Sequence, residues 1–345
     1  MNREKLSYVG KKVFVGIDVH LRFYHVTCYC EEVRVHKFRC DAVPGELAYS
    51  LLKMFQGAEI ESCYETGFSG FVLHRTLCEA GIKNRVVNAG DVETSSRKDK
   101  TDKRDSNKLA QQLMSKRLRG IAIPGETQEL KRQLTRVREQ LMRKRTSTKN
   151  QIRMRFHYFG LLGCCEKREM SFSLVQEMLE KVDALELILS TEVLVAVWRS
   201  LDEQLKRINT ELKHQAENDV LEVLYRKLPG IGPLSSRVLS NELGDLRRFP
   251  SMKALYRFTG LTPGECSSGE SCKLGHISRE GSSRLRHVLV EAAWNALSKD
   301  QTLKKYFEEL ATRAGKKRAI VAVARKLVGR ARAISISGED YKMAA

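Results

Sequence analysis

From residue 12 the chain runs through KVFVGIDVH, FYHVTCYC and VRVHKF, segments rich in β-branched and aromatic residues and parted by short polar breaks. They predict three consecutive antiparallel strands. GELAYSLLKMF then spaces its apolar residues as a helix does, EIESCYE returns to a strand, GFVLHRTLCEAG is a helix closed by Gly81, and KNRVVNA is again a strand. The order β-β-β-α-β-α-β followed by a helix predicts one mixed sheet with helices packed on it.

After Pro124 the spacing changes. Leu130, Leu134, Val137 and Leu141 recur at intervals of three and four, as do Leu194, Val197, Leu201, Leu205, Ile208 and Leu212, with charged residues between them. Two long helices follow, with HYFGLLGCCEK as the reversal between them. This is an antiparallel helical hairpin or a coiled coil shared between subunits. From about residue 216 the chain reads as α-rich, punctuated by LPGIGPLSSRVLSNELG and GLTPGECSSGESCKLG.

Composition adds a partner. Lysine and arginine number 61 against 42 acidic residues, a formal net charge of +19, so the surface attracts polyanions. The first long helix carries Lys131, Arg132, Arg136, Arg143 and Arg145, and acidic residues are nearly absent from 140 to 165. Phosphate contact accounts for that better than a solvated helix exterior, which would mix signs. The nine cysteines show no paired zinc-ligand spacing and fit reduced thiols in a cytoplasmic protein. The first residues lack the apolar run of a signal peptide, and no stretch of about 18 apolar residues occurs, so neither export nor a membrane span is expected.

Within this basic chain, KTDKRDS sets Asp102 and Asp105 one helical turn apart, while Asp18 and Glu65 each end an otherwise apolar strand. Taken alone, Asp102 caps a helix and Asp105 pairs with Arg104 or Lys108. Taken together, four carboxylates gathered at one end of a sheet repel one another without a cation, and hard divalent ions prefer oxygen ligands. Mg²⁺ or Mn²⁺ is the expected cofactor, gripping a scissile phosphate while the basic residues neutralise the backbone around it.

GID after an apolar strand, YETG at the end of another, and KTDKRDS together resemble the D…E…D-x-x-D signature of the DEDD transposases of bacterial insertion sequences, relatives of Piv-type DNA invertases. The resemblance implies a ribonuclease H-like (RuvC-like) N-terminal domain in which Asp18, Glu65, Asp102 and Asp105 bind metal. The family often has alanine after the last aspartate, where this chain has Ser106. FTGLTPGECSSGESCKLGHISREGSSRLRHVL resembles the family's second domain, in which a serine followed by glycine becomes joined to DNA. By position that residue is Ser268, with Ser267 and Ser271 close by. No local histidine is obviously paired with it, and the acids of the other domain supply activation when the two meet over DNA.

LPGIG at 228 to 232 matches a helix-hairpin-helix, in which Gly230 and Gly232 let the backbone approach a phosphate. A plain helix–helix turn is the bland alternative. Lys273, Arg279, Arg284 and Arg286, then Lys316, Lys317 and Arg318, add further basic contacts. The expected fold is therefore α/β plus α: a ribonuclease H-like domain over 1–122, a helical hairpin or coiled coil over 123–215, and an α-rich domain with helix-hairpin-helix and serine loop over 216–345. The expected function is DNA transposition or recombination through a covalent serine–DNA intermediate. By the resemblance it is guided by a structured bridge RNA and carried out by a dimer or tetramer in the bacterial cytoplasm, at the nucleoid. Two rivals are a Mg²⁺-dependent junction nuclease that acts by hydrolysis and a non-enzymatic nucleic-acid-binding protein.

Overall fold

The computed structural model describes residues 7–92, 102–163, 168–268, 271–278, 280–339 and 341. The chain divides into two compact units, Met1–Ile123 and Pro124–Ala345.

The first unit is a five-stranded mixed sheet with helices on both faces. Its elements are β1 (Lys12–Val19), β2 (Phe23–Cys30), β3 (Val33–Asp41), α1 (Pro44–Met54), β4 (Glu59–Glu65), α2 (Val72–Glu79), β5 (Lys83–Val87) and α3 (Asp102–Met114). The strand order is β3-β2-β1-β4-β5, with β1, β2 and β3 antiparallel in sequence and β4 and β5 parallel to β1. The alternation of side chains along a strand sorts residues onto two faces. One face carries Val13, Val15, Ile17, Tyr24, Val26 and Ile60 against Leu47, Leu51, Leu73 and Leu77 of α1 and α2. The other buries Cys63 and Val87 with Leu109 and Leu113 of α3, and Phe14 packs on that cluster. All five strands and the first two helices fall where the apolar spacing puts them, which agrees with the ribonuclease H-like expectation.

The second unit opens with two long helices, α4 (Glu126–Tyr158) and α6 (Leu185–Ala216), with the short α5 (Phe172–Leu179) between them. They run antiparallel. Arg138 Nε donates to Asn209 Oδ1 at 2.7 Å, Arg145 pairs with Asp202 at 2.6 Å, and Lys149 lies over the Trp198 ring at 4.8 Å. The expected apolar seam is only partly used. Leu130 is 70% exposed and Val137 39%, while the buried positions of α4 are Thr135, Thr148, Ile152 and Phe156. The first turns of α4 are instead bound by polar groups, described below.

The remainder contains α7 (Val220–Arg226), α8 (Pro233–Leu243), α9 (Met252–Thr259), β6 (Pro263–Ser268), β7 (Ser271–Ile277), α10 (Ser283–Ala296), α11 (Gln301–Ala314) and α12 (Lys316–Ser337). Tyr225, Leu239, Leu255, Leu285, Leu289, Val323 and Leu327 make its core. The segment read as a serine loop is a two-stranded antiparallel hairpin, with Ser268 opposite Ser271. Among the described residues no helix is long and apolar enough to cross a membrane.

Candidate functional site

Asp18 lies two residues beyond Gly16 on β1, so both occupy the same face of the sheet. Gly16 faces α3, because a Cβ built on it would lie 2.1 Å from the Ser106 carbonyl oxygen and 2.4 Å from the Ala110 nitrogen. Glu65 ends β4 two residues beyond Cys63, whose thiol donates to the Leu109 carbonyl of α3 at 3.5 Å. Both carboxylates therefore stand on the α3 side. They are also neighbours across the sheet, since Ile17 pairs with Tyr64 in parallel register immediately before them.

The direction of α3 is fixed by its bonds to β2. Ser106 Oγ lies 2.9 Å from Thr27 Oγ1, and Thr27 is opposite Gly16. One residue further along the helix, Asn107 Oδ1 accepts from the Tyr29 hydroxyl at 2.9 Å, and Tyr29 is opposite Phe14. Gln111 Nε2 donates to the same hydroxyl at 3.1 Å. The helix thus runs antiparallel to β1, and its first turn, with Asp102 and Asp105, comes to the sheet end that carries Asp18 and Glu65.

Asp18 and Asp105 each meet a basic side chain. His20 Nε2 lies 3.1 Å from Asp18 Oδ2, and Lys108 Nζ lies 3.9 Å from Asp105 Oδ1. The pairing of Asp105 with Lys108 is the local contact anticipated for it. The side chain of Asp102 lies outside the described residues. Among the described residues no three His, Cys, Asp or Glu groups stand close enough to form a ready-made ligand set. The donors are carboxylate oxygens, the chemistry that Mg²⁺ and Mn²⁺ select over softer metals. Burial pushes the Cys63 thiol up, so beneath this face it is an inert, protonated packing group.

In the second unit, several basic residues expected at a phosphate backbone are already engaged inside the protein. Arg136 donates through Nε and Nη2 to the two Glu242 carboxylate oxygens, each at 2.9 Å. Arg132 donates to the Asn241 and Glu242 carbonyls at 2.9 Å, and Arg284 reaches Glu242 Oε1 at 3.3 Å and also pairs with Glu139. Burial raises the Glu242 carboxyl, but Arg136, Arg132 and Arg284 outweigh it and hold the group below the ordinary carboxylate range. This polar cluster binds α4 to α8 and α10, which is why the first turns of α4 need no apolar seam.

Arg143 pairs with Glu139 at the surface, and Arg286 donates to the Gly260 carbonyl at 3.4 Å. Lys131 lies 3.8 Å from Asp219, and Lys316, Lys317 and Arg318 are exposed at the start of α12. Arg279 lies outside the described residues, as do the side chains of Lys273, Ser267, Ser268 and Ser271.

LPGIG joins α7 to α8, with Gly230 in the left-handed region at φ +78°. The close approach that Gly230 permits is to α10: a Cβ there would lie 2.1 Å from the Ala292 carbonyl. Gly232 is the N-cap of α8 and has open space around it, so of the two glycines it alone leaves room for an outside group.

Two family profiles match the chain. A family profile described as "Transposase" of the DEDD type matches residues 15–156, which include β1, β4 and the start of α3. A second, described as "Transposase IS116/IS110/IS902 family", matches residues 224–308, from α7 into α11. Over both stretches the chain is similar to transposases of the IS110 family. Its relatives include a "Probable family 20 transposase" of Pseudomonas aeruginosa, 25% identical over 64% of this chain and 66% of the relative. The "Transposase for insertion sequence element IS1111A" of Coxiella burnetii is 28% identical over 73% of this chain and 71% of the relative. A "Putative transposase y4rJ" of Sinorhizobium fredii is 27% identical over 92% and 90%. The IS110-family profile over 15–156 spans three of the carboxylate positions on strands and helix whose placement is described above, and also Asp102.

Sequence reasoning did not single out His20, Phe23, His25 or the pair Thr27–Ser106. His20 and Phe23 flank a turn and carry no pattern of their own. Thr27 and Ser106 are 79 residues apart, and only the fold brings them together.

Proposed function

We propose that the protein is an insertion-sequence transposase that cuts and rejoins DNA by transesterification. The observation that carries this reading is the convergence of Asp18 and Glu65, on adjacent parallel strands, with the first turn of α3 on one face of the sheet. Asp18, Glu65, Asp102 and Asp105 would hold Mg²⁺ or Mn²⁺, which when bound neutralises charge on the attacking and leaving oxygens of a phosphodiester.

Ser268 Oγ is the nucleophile in this reading. It forms an ester bond to phosphorus, the bond from phosphorus to a deoxyribose oxygen breaks, and that oxygen leaves with the proton given up by the serine. Rejoining is the reverse attack by a deoxyribose hydroxyl of a second DNA end, which restores the serine. Similarity to transposases supports DNA as the partner, and the net charge of +19 supports a polyanion generally. Recognition through a structured bridge RNA and assembly as a dimer or tetramer belong to the same reading. Lys316, Lys317 and Arg318, together with the α8 N-terminus at Gly232, are the backbone contacts best supported by exposure and open space.

The test is a denaturing gel of full-length protein mixed with element-end DNA, RNA and Mg²⁺. A protein–DNA adduct that survives denaturation is expected with the wild type and is lost in Ser268→Ala, which still binds DNA. Clean cleavage with no adduct, unchanged in Ser268→Ala, would mean that water is the nucleophile and the protein is a hydrolytic nuclease.

A further inference from the structure

The row of residues that contains Asp18 continues across the sheet into aromatic and basic side chains. Asp18 pairs with His25 of β2, and His25 pairs with Arg39 of β3. One step along, Gly16 pairs with Thr27 and Thr27 with Lys37. Pairing in register keeps cross-strand neighbours on one face, so His25, Arg39 and Lys37 share the face of Asp18.

Beside Asp18, three rings gather on that face. His20 and Phe23 have ring centroids 4.7 Å apart, Phe23 and His25 5.1 Å, and His20 and His25 5.8 Å. The Arg39 guanidinium lies over the Phe23 ring, 3.8 Å from its centroid. His20, Phe23 and His25 are half-buried, and Lys37 and Arg39 are exposed on the edge strand. A sheet edge needs charge to prevent strand addition, and that alone would explain one lysine or arginine here. It does not explain the ring cluster or the guanidinium stacked on it.

We infer that this patch is the seat of a single DNA strand flanking the scissile phosphate, an inference that rests on the DNA-cutting reading above. Rings next to exposed cations are the elements with which proteins hold unpaired nucleotides, the rings taking bases and the cations phosphates. The geometry gives the path. Asp18 and Arg39 are two strand spacings apart, about 10 Å at about 4.8 Å per spacing. A stacked strand, with phosphates about 3.4 Å apart along its axis, covers that in about three nucleotides. With one phosphate at the carboxylates, the phosphate about three nucleotides along would lie over Arg39 and Lys37, and a base between them against the Phe23–His25 rings. A paired duplex would hide the base faces that the rings need, so the patch selects an opened strand.

The test uses the full-length protein and a fluorescent oligothymidine, with anisotropy read across a salt series. Lys37→Ala/Arg39→Ala changes two exposed residues, so its unfolding midpoint should stay close to wild type. The slope of log affinity against log salt should become shallower by about 1.4, from about 0.7 per phosphate contact on single strands. Phe23→Leu keeps apolar volume but removes the ring, and should weaken binding about tenfold with the slope unchanged, as loss of one stacked base does. Unaltered slope and affinity in a folded double variant overturn the inference and leave the DNA-cutting reading standing. Loss on an RNA oligonucleotide with DNA binding unchanged also overturns it, because the patch then serves RNA. A wild type that binds no oligonucleotide at all removes both.

Discussion

The carbonyl oxygen of Ser106 lies 2.1 Å from the point at which a side chain on Gly16 would begin. No larger residue fits at position 16 unless α3 leaves the sheet. That contact sets the height of the helix whose first turn carries Asp102 and Asp105. Gly16→Ala is therefore expected to destabilise the first unit by about 1–3 kcal/mol, as overpacking of a filled interior does. Urea unfolding gives the cost. Because α3 moves with it, any stabilisation by divalent cations should fall in the same variant.

The second prediction concerns the hydroxyl pair beneath that turn. Thr27 and Ser106 are both fully buried and bond to each other at 2.9 Å. Ser106→Ala leaves the Thr27 hydroxyl without this partner, and Thr27→Val does the same to Ser106. Each single change should cost about 1–3 kcal/mol, while the double change should cost much less than the sum. A double-mutant cycle by urea unfolding measures the coupling. Additive losses would show that the two hydroxyls do not depend on each other.

The Glu242 cluster makes a prediction about pH. With Arg136, Arg132 and Arg284 around it, the folded-state carboxyl titrates below its unfolded value. A depressed carboxylate contributes stability that is complete above its unfolded pKa, about 4.3, and is lost as pH falls through the folded value. Glu242→Gln should cost about 3–5 kcal/mol near neutrality, because Arg136 and Arg284 lose a buried partner. The gap between variant and wild type should narrow below about pH 4. Thermal unfolding from neutral to acid pH checks both. A gap that is constant with pH would contradict the assignment.

How far the sequence reveals this molecule depends on how local each feature is. The five strands of the first sheet, its first two helices and the two long helices follow from apolar spacing, which is a property of short windows. The four acids were expected together at one end of a sheet, and the topology supplies what spacing lacks: β1 and β4 are neighbours, and α3 runs back toward their ends. The β6–β7 hairpin was read as a loop because ECSSGESCK is polar on both faces and offers no apolar alternation. Arg132 and Arg136 read as phosphate contacts because Glu242, more than a hundred positions away, cannot be matched to them by spacing. The ring cluster at His20, Phe23 and His25 depends on hairpin register, and it becomes visible only once Asp18 is seen opposite His25.

The account depends most on the carboxylates at the sheet end acting as one cation site. The direct measurement is the unfolding midpoint of the full-length protein in EDTA and in millimolar Mg²⁺, for the wild type, Asp18→Asn and Asp105→Asn. The wild type should gain stability with Mg²⁺, by about 2.7 kcal/mol at a concentration one hundred times the dissociation constant. Each variant should show little gain with Mg²⁺. An equal Mg²⁺ response in all three proteins would contradict the claim that these acids hold a metal.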